Sequence, residues 1–336
     1  MPNSHGYGHD GPQLAGKVPQ ELVHKHALNE VLLTGWSTRG SNRHTVYARW
    51  PRFHTFYRAN NRRFDSLLFV ETVRQTFPLL SHVAYGVPFG SHLVWDDFSF
   101  EVEPQAMLIP QAQADVVLET MCSDVRTRKG CLVSMTMHAA VRLGGRHIGN
   151  ARTRFTNHSP AVYRRLRGEH DLTEKHRRAT QLLPALPPAT VGHCLAENVV
   201  LAGTERAGRW RLRVDLDHPV LFDHPVDHVP GMLLLEAIRQ AAHATYPATN
   251  SMVTGMSVSF EKWVELDTTA WIAVEPLRRN ALKAVIEQEH RTCLNGEVTI
   301  KTLPVQTAGL SRELQPPEPS DGHNTLRPPP VSPLHR

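Results

Sequence analysis

The residues from Phe222 to Gln240 combine ionisable groups with an apolar helical segment in a way that could support chemistry. The loop carries His224 and His228, each directly after an aspartate, and the following segment carries Glu236 and Arg239 among Met, Leu, Ile and Ala. Imidazole groups exchange protons near neutral pH. A carboxylate and a guanidinium on an apolar helix are costly unless they are paired. We therefore expect a proton-transfer or anion-binding site in this segment.

The same helical pattern occurs earlier in the chain. Glu71 matches Glu236, and Arg74-Gln75 matches Arg239-Gln240. Two further blocks repeat in the same order: residues 30–35 resemble 198–203, and residues 98–101 resemble 258–261. Three matching blocks indicate a duplicated domain, and a length of 336 residues also favours two domains.

Each repeat is predicted to contain a short strand, a loop, one apolar helix of about three to five turns and then alternating strands. The second helix is predicted to begin at Pro230-Gly231. Alternation is clearest at residues 115–119, 132–141, 271–274 and 283–287. Gly144-Gly145 and Asn295-Gly296 are predicted hairpin turns because both dipeptides tolerate positive φ. One helix with several antiparallel strands, twice, predicts an α+β fold.

The domain organisation is predicted from composition. Residues 1–20 are a flexible leader, residues 21–165 the first domain and residues 191–303 the second. Residues 166–190 form a basic, Pro-rich linker, and we interpret the stretch from Tyr163 to Arg178 as an exposed connection. Residues 304–336 are a Pro-rich tail with few large apolar residues, so both chain ends are expected to be disordered.

Composition excludes several classes of protein. The four cysteines are far apart and lack a CxxC pair, so neither a disulfide framework nor a zinc ribbon is indicated. No apolar run is long enough for a membrane span and no secretory signal is recognisable, which predicts a cytoplasmic protein with no membrane partner. The formal charge of +5 comes with no nucleic-acid-binding motif, so no nucleic-acid partner is predicted.

Neither a metal nor another cofactor is predicted. His224 and His228 are four residues apart beside aspartates, but Pro225 and Pro230 break the helical spacing that would place two ligands on one face. Three other histidines are expected to be structural or at the surface: His24, His26 and His138.

The segment Pro230-Gly231-Met232-Leu233-Leu234-Leu235-Glu236 resembles the start of the central helix in hotdog-fold dehydratases and thioesterases. The whole pattern is more similar to the A-factor biosynthesis family (AfsA-type), which consists of tandem hotdog enzymes of γ-butyrolactone and furan signalling. The resemblance rests on residues 23–26, 30–36, 69–75 and 223–232, and it covers both repeats. It implies a double hotdog, each half a long helix wrapped by an antiparallel sheet.

The resemblance implies transfer of a β-ketoacyl group to the hydroxyl of dihydroxyacetone phosphate. The donor is a thioester on an acyl carrier protein or coenzyme A, and the product is a butenolide or furan precursor. It also implies that the loop of the second repeat, which carries His224 and His228 (the second-repeat loop), approaches the helix of the first repeat, which carries Glu71 (the first-repeat helix). The chain is then a monomer or a homodimer, because tandem hotdogs can pair within one chain.

Roles follow for the candidate residues as hypotheses. Glu71 is the general base or orients a histidine base, and His224 or His228 supplies the imidazole. The backbone NH groups of Gly231 and Met232 stabilise the oxyanion at the positive end of the helix dipole. The catalytic set also includes Glu236 and Arg239. Arg239 and Arg74 are candidates for binding the substrate phosphate.

Alternatives remain open. The two Glu/Arg pairs could instead be salt bridges that fix helix register. The chain could be a hotdog dehydratase or thioesterase, or a non-catalytic regulator that binds acyl groups. Two groups of arginines could contact an acidic carrier protein, or simply be solvated: Arg58, Arg62 and Arg63 near the first helix, and Arg164, Arg165 and Arg167 in the connector.

Overall fold

The structure is a computed structural model that describes residues 16–168, 172–246 and 250–303. The predicted tail at 304–336 and most of the predicted leader at 1–20 lie outside these residues. The described helices are α1 (Ser66–Val83), α2 (Pro160–Arg167), α3 (Leu172–Arg177) and α4 (Gly231–Thr245). Short 3-10 turns occupy Gln20–Val23, Leu28–Glu30, Pro104–Ala106, Pro188–Val191 and Ala196–Asn198.

The described strands form one antiparallel sheet. They are β1 (Leu33–Thr38), β2 (Arg43–Trp50), β3 (His92–Val102), β4 (Ala114–Arg128), β5 (Cys131–Leu143), β6 (Arg146–His158), β7 (Leu201–Ala202), β8 (Arg209–Leu212), β9 (Ser251–Phe260), β10 (Ala270–Arg278), β11 (Ala281–Gln288) and β12 (Arg291–Thr302). Their order is β1-β2-β4-β5-β6-β3-β9-β12-β11-β10-β8-β7.

This order repeats itself with reversed direction about the β3/β9 pair. Phe98 lies opposite Val258 where the two halves join, so each half contributes six strands to the described sheet. The two long helices are equivalent: α1 belongs to the half that ends in β6, and α4 belongs to the half that ends in β12. The duplication predicted from sequence therefore appears as an internal two-fold repeat.

Local sequence explains where α1 and α4 begin. The Asp65 carboxylate accepts a hydrogen bond from the Leu67 backbone NH at 2.7 Å and caps α1. Helix α4 begins at Gly231 after Pro230, as predicted, but no side chain caps it. Both helices are apolar and largely buried, so packing against the sheet stabilises them more than helix propensity does.

All four strand segments predicted from alternation lie in β4, β5, β10 and β11. The Gly144-Gly145 turn between β5 and β6 is also confirmed. The predicted turn at Asn295-Gly296 is wrong, because both residues lie inside β12. A Cβ at Gly296 would lie 2.1 Å from the Ser257 carbonyl oxygen, so glycine is needed there for close strand approach.

Most described residues of the connector are exposed or half-buried, but the connector is not a simple extended linker. It contains α2 and α3, and the Tyr163 ring is buried against β3 and the second-repeat loop. The Arg167 side chain is only 5% exposed, because it forms ion pairs with Asp227 and Glu265. Arg167 is therefore not available for a carrier protein, contrary to the sequence-based expectation.

Arg63 is a second wrongly predicted surface arginine. It is 1% exposed and donates hydrogen bonds to the carbonyl oxygens of Pro104 and Asn61 and to the Gln105 side chain. In the described ranges, no helix combines the length and the apolar character needed to cross a bilayer.

Candidate active site

A cavity of about 480 Å³ lies between α1 and the loop that leads into α4. This volume falls in the range of small-molecule sites. One wall is apolar and includes Phe77, Leu93, Trp95, Met232, Leu234 and Phe260. The polar part of the wall includes His24, Lys25, Glu71, Arg74, His92, Tyr163, Asp223, His224 and His228. The cavity can therefore hold a ligand with an apolar chain and a polar reacting end.

The cavity brings together most of the predicted site residues from both repeats. Glu71 and Arg74 come from α1, and the others come from the second repeat: His224, His228, Gly231 and Met232. The second-repeat loop thus approaches the first-repeat helix. Arg239 instead lines a separate cavity of about 400 Å³, and Glu236 lines neither.

Glu71 is surrounded by donors. Its carboxylate accepts two hydrogen bonds from Arg74, at 2.8 and 2.9 Å, and one from Gln75 at 2.8 Å, and Lys25 Nζ lies 3.3 Å away. Burial acts to raise the pKa of Glu71, but the charges of Arg74 and Lys25 lower it to about 2. A carboxylate held this firmly ionised is a weak base at neutral pH.

Glu71 also makes no hydrogen bond to either predicted histidine. The carboxylates that orient the imidazoles are the preceding aspartates, so the predicted orienting role of Glu71 is not supported by the geometry. Asp223 accepts a hydrogen bond from His224 Nδ1 at 2.5 Å and one from the His26 backbone NH at 3.0 Å. Burial acts to raise the pKa of Asp223, but the His224 bond and the Lys25 charge lower it to about 2.

The second pair, Asp227 and His228, is held by the connector. Asp227 Oδ1 accepts hydrogen bonds from His228 Nδ1 and from the Tyr163 hydroxyl, both at 2.7 Å. Arg167 Nε donates to Asp227 Oδ2 at 3.0 Å. Burial acts to raise the pKa of Asp227, but the bonds from His228 and Tyr163 hold it well below its usual range. Asp227 is therefore an acceptor that fixes His228.

The start of α4 supplies donors to the cavity. The Leu233 and Leu234 backbone NH groups bond to the Pro230 carbonyl oxygen, whereas those of Gly231 and Met232 have no acceptor among the described residues. Both residues line the cavity. At the start of α1, by contrast, the Asp65 carboxylate accepts a hydrogen bond from the backbone NH of Leu67. Of the two long helices, only α4 therefore begins at a cavity without a side-chain cap.

The second repeat contains an equivalent charged cluster. The Glu236 carboxylate accepts hydrogen bonds from Arg239 at 2.6 and 2.8 Å and from Gln240 at 2.6 Å, and His193 Nε2 lies 2.7 Å away. Burial acts to raise the pKa of Glu236, but the charges of Arg239 and His193 hold it well below its usual range. In this cluster His193 contacts Glu236, as Lys25 contacts Glu71 in the first repeat.

The two sites are not equivalent. In the first repeat, Ala59 and Asn60 stand where the second-repeat loop has His224 and Pro225, and Asn60 lines the second cavity. No imidazole supported by an aspartate enters that cavity from the described residues. Within the same part of the chain, no cluster of three or more His, Cys, Asp and Glu side chains has the geometry of a metal site.

Sequence reasoning missed several cavity residues. Lys25 lies between Glu71 and Asp223, at 3.3 and 3.8 Å, and joins the two repeats. His24 was expected to be structural, yet it lines the cavity, where burial and the charges of His82 and Arg74 lower its pKa to about 3. The conspicuous run Val23-His24-Lys25-His26 was the available signal.

Comparison with known proteins agrees with this architecture. The family model of the A-factor biosynthesis hotdog domain matches residues 9–159 and 175–304. The chain belongs to the A-factor biosynthesis hotdog domain family. The family and the tandem hotdog fold predicted from sequence are thereby confirmed.

Curated relatives of this family member are enzymes. A 2-oxo-3-(phosphooxy)propyl 3-oxoalkanoate synthase of Streptomyces virginiae is 44% identical over 264 residues, which cover 79% of this chain and 89% of the relative. A protein of the same name from Streptomyces coelicolor is 38% identical and covers 77% of this chain and 82% of the relative.

Solved structures similar to the family member include a 12:0-ACP thioesterase from Umbellularia californica. It is 11% identical, with a TM-score of 0.47, and the alignment covers 80% of this chain and 100% of the thioesterase.

Proposed function

We propose that the protein is an acyltransferase that moves a β-ketoacyl group from a thioester to the hydroxyl of dihydroxyacetone phosphate. The name of the two Streptomyces relatives describes such an ester, a 3-oxoalkanoate of a phosphooxy ketone. The observation that carries the proposal is the meeting of an uncapped helix start with two aspartate-supported imidazoles in one cavity. We also propose that the protein is cytoplasmic and that its two domains comprise residues 21–165 and 191–303.

The polar wall supplies the groups that acyl transfer requires. His224 or His228 takes the proton of the acceptor hydroxyl while its oxygen bonds to the thioester carbon. The NH groups of Gly231 and Met232 donate to the carbonyl oxygen as it gains negative charge, aided by the helix dipole. Collapse of the adduct breaks the C–S bond, and the imidazolium returns the proton to the thiolate, giving an ester and a thiol.

The remaining walls fit the two substrates. The apolar side chains beside Trp95 and Phe260 can cover the acyl chain. Arg74 is our candidate for the phosphate, because it lines the cavity and its Nη1 donates to no described residue. Glu71 then holds Arg74 and Lys25 in place instead of accepting the substrate proton. Arg239 remains a candidate only for the second cavity.

The donor is proposed to arrive on an acyl carrier protein. Arg164 and Arg165 are exposed on α2, next to the cavity residue Tyr163, and form no ion pair with a described residue. Lys262 is exposed at the cavity wall as well. A basic rim suits an acidic carrier protein.

The test is mass spectrometry of products from purified protein and a β-ketoacyl thioester, with and without dihydroxyacetone phosphate. We expect a phosphorylated ester, or the butenolide formed from it, only when both substrates are present. The product should disappear in His224→Gln/His228→Gln. His138→Gln is the matched control, because His138 lies on β5 outside the cavity, and it should keep wild-type activity.

Other outcomes separate the alternatives. Free β-keto acid formed without the phosphate acceptor would identify a thioesterase. An enoyl product formed from a β-hydroxyacyl thioester, supplied in a parallel assay, would identify a dehydratase. Stoichiometric acyl binding without turnover would identify a non-catalytic regulator. Each of these results would overturn the acyltransferase proposal.

A further inference from the structure

The connector helix α2 places a tyrosine hydroxyl on the carboxylate that orients His228. Tyr163 Oη donates a hydrogen bond to Asp227 Oδ1 at 2.7 Å, and the same oxygen accepts a hydrogen bond from His228 Nδ1. The distance between Tyr163 Oη and His228 Nδ1 is 3.4 Å. The Tyr163 ring stacks on His92 of β3 with 3.7 Å between centroids and 7° between planes. The hydroxyl is therefore held in position by its ring.

Arg167, one turn further along α2, holds the other side of Asp227. Its Nε donates to Oδ2 at 3.0 Å and its Nη2 donates to the Asp227 backbone oxygen at 3.1 Å. The guanidinium is itself fixed by Glu265 and lies over the Trp263 ring, 5.0 Å from its centroid. Both carboxylate oxygens of Asp227 are thus occupied, and the carboxylate cannot rotate without losing hydrogen bonds.

We propose that Tyr163 and Arg167 are positioning residues that fix Asp227, so that His228 acts as the general base. This inference rests on the proposed acyl transfer and assigns the base within the cavity. An ionised Asp227 accepts only, so the His228 Nδ1 carries a proton and the unprotonated Nε2 is the nitrogen left to accept one from the acceptor hydroxyl. The same nitrogen then returns that proton to the departing thiolate.

Anchoring the connector does not require the Tyr163 hydroxyl. The stacked ring buries apolar surface, and Arg167 with Glu265 and Trp263 already joins α2 to the second repeat. The hydroxyl donates a hydrogen bond to Asp227 Oδ1, the oxygen that also accepts from His228 Nδ1. Its main effect is therefore on the His228 imidazole. Tyr163→Phe should therefore change proton transfer far more than folding.

The experiment compares Tyr163→Phe with Tyr85→Phe, which loses a hydroxyl 3.1 Å from His44 outside the cavity. The charged and titratable groups around His228 are Asp227, Tyr163, Arg167, Glu265 and His92. For Tyr163→Phe we expect kcat to fall roughly 10- to 100-fold, with KM nearly unchanged.

Tyr85→Phe should keep the wild-type kcat and KM. A Tyr163→Phe enzyme with the wild-type kcat would overturn the proposal, and so would an active His228→Gln beside an inactive His224→Gln. Nitrogen NMR of histidine-labelled protein tests the geometry without turnover, with the His228 signal assigned by its loss in His228→Gln. A proton on Nδ1 supports the proposal even if the acyltransferase assignment fails, and a proton on Nε2 alone refutes it.

Discussion

The Nζ of Lys25 lies 3.3 Å from Glu71 Oε1, and both side chains are almost fully buried. The same ammonium lies 3.8 Å from Asp223, so a single lysine joins the first-repeat helix to the second-repeat loop. Arg74 also pairs with Glu71, so the cavity wall contains two cations, Lys25 and Arg74, and two carboxylates, Glu71 and Asp223. In the second cluster His193 contacts Glu236 instead.

Lys25→Met should destabilise the fold by about 3 kcal/mol, because it leaves two buried carboxylates short of a cation. Glu71→Gln alone should have a similar effect. The double variant should cost less than the sum, with a coupling of about 1–3 kcal/mol in a denaturant-unfolding cycle. Lys17→Met, at an exposed lysine that binds the Leu28 and Asn29 carbonyl oxygens, should stay within about 0.5 kcal/mol. Strict additivity of the two buried changes would contradict direct pairing.

Acid should weaken the fold through the same cluster. The pKa of Glu71 is lowered from 4.5 to about 2, and that of Asp223 from 3.8 to about 2. A carboxylate whose pKa is lower in the folded state than in the unfolded state stabilises the fold at pH values above its unfolded-state pKa. This contribution is lost as pH falls through the folded-state pKa.

The free energy of unfolding should therefore fall as pH drops from about 4.5 to about 2, as measured by urea unfolding at a series of pH values. Glu71→Gln should flatten this slope, because one of the two groups is removed. Glu101→Gln, at an exposed glutamate of β3, is the control and should keep the wild-type slope. An unchanged slope in Glu71→Gln would show that Glu71 is not held ionised in the fold.

Local patterns in the sequence were sufficient for the repeats, the helix start at Gly231 and the four strand segments with clear alternation, because these depend on periodicity and chain-local chemistry. They failed at Gly296. Glycine there serves close approach to Ser257 on β9, a contact between distant segments. The turns on either side of β11 instead use Asn280, with φ 61°, and Glu289-His290, with φ 50° and 60°.

The site was predicted less completely than the fold, for the same reason. The approach of the second-repeat loop to Glu71 came from the family resemblance. Lys25 and Tyr163 reach the cavity, and Arg167 reaches Asp227, through tertiary contacts that no spacing encodes. Charge at a position also does not reveal exposure. Arg164 and Arg167 lie in one basic helix, yet one is exposed and the other is buried in ion pairs.

Gly231→Ala should damage activity more than stability. A Cβ at this position would lie 3.0 Å from two Trp95 ring atoms, so the ring must shift in the cavity wall beside the proposed oxyanion donors. We expect kcat/KM to fall roughly 10- to 100-fold and the free energy of unfolding to change by about 1–3 kcal/mol or less. Ser66→Ala, at the first residue of α1, is the matched control and should keep wild-type turnover. A folded Gly231→Ala enzyme with full activity would argue against this helix start as the reaction site.

Charge reversal on α2 should separate a carrier-protein donor from a small thioester donor. In Arg164→Glu/Arg165→Glu we expect KM for a carrier-bound β-ketoacyl donor to rise about 10-fold or more at low salt, because the basic rim attracts an acidic partner. KM for a pantetheine thioester should not change, since neither arginine lines the cavity. Arg126→Glu/Arg128→Glu, at two exposed arginines of β4 outside the cavity, should leave both values unchanged. Steady-state kinetics with both donors and all three proteins decides the point. A carrier-bound KM that is insensitive to the α2 reversal would place carrier docking elsewhere on the surface.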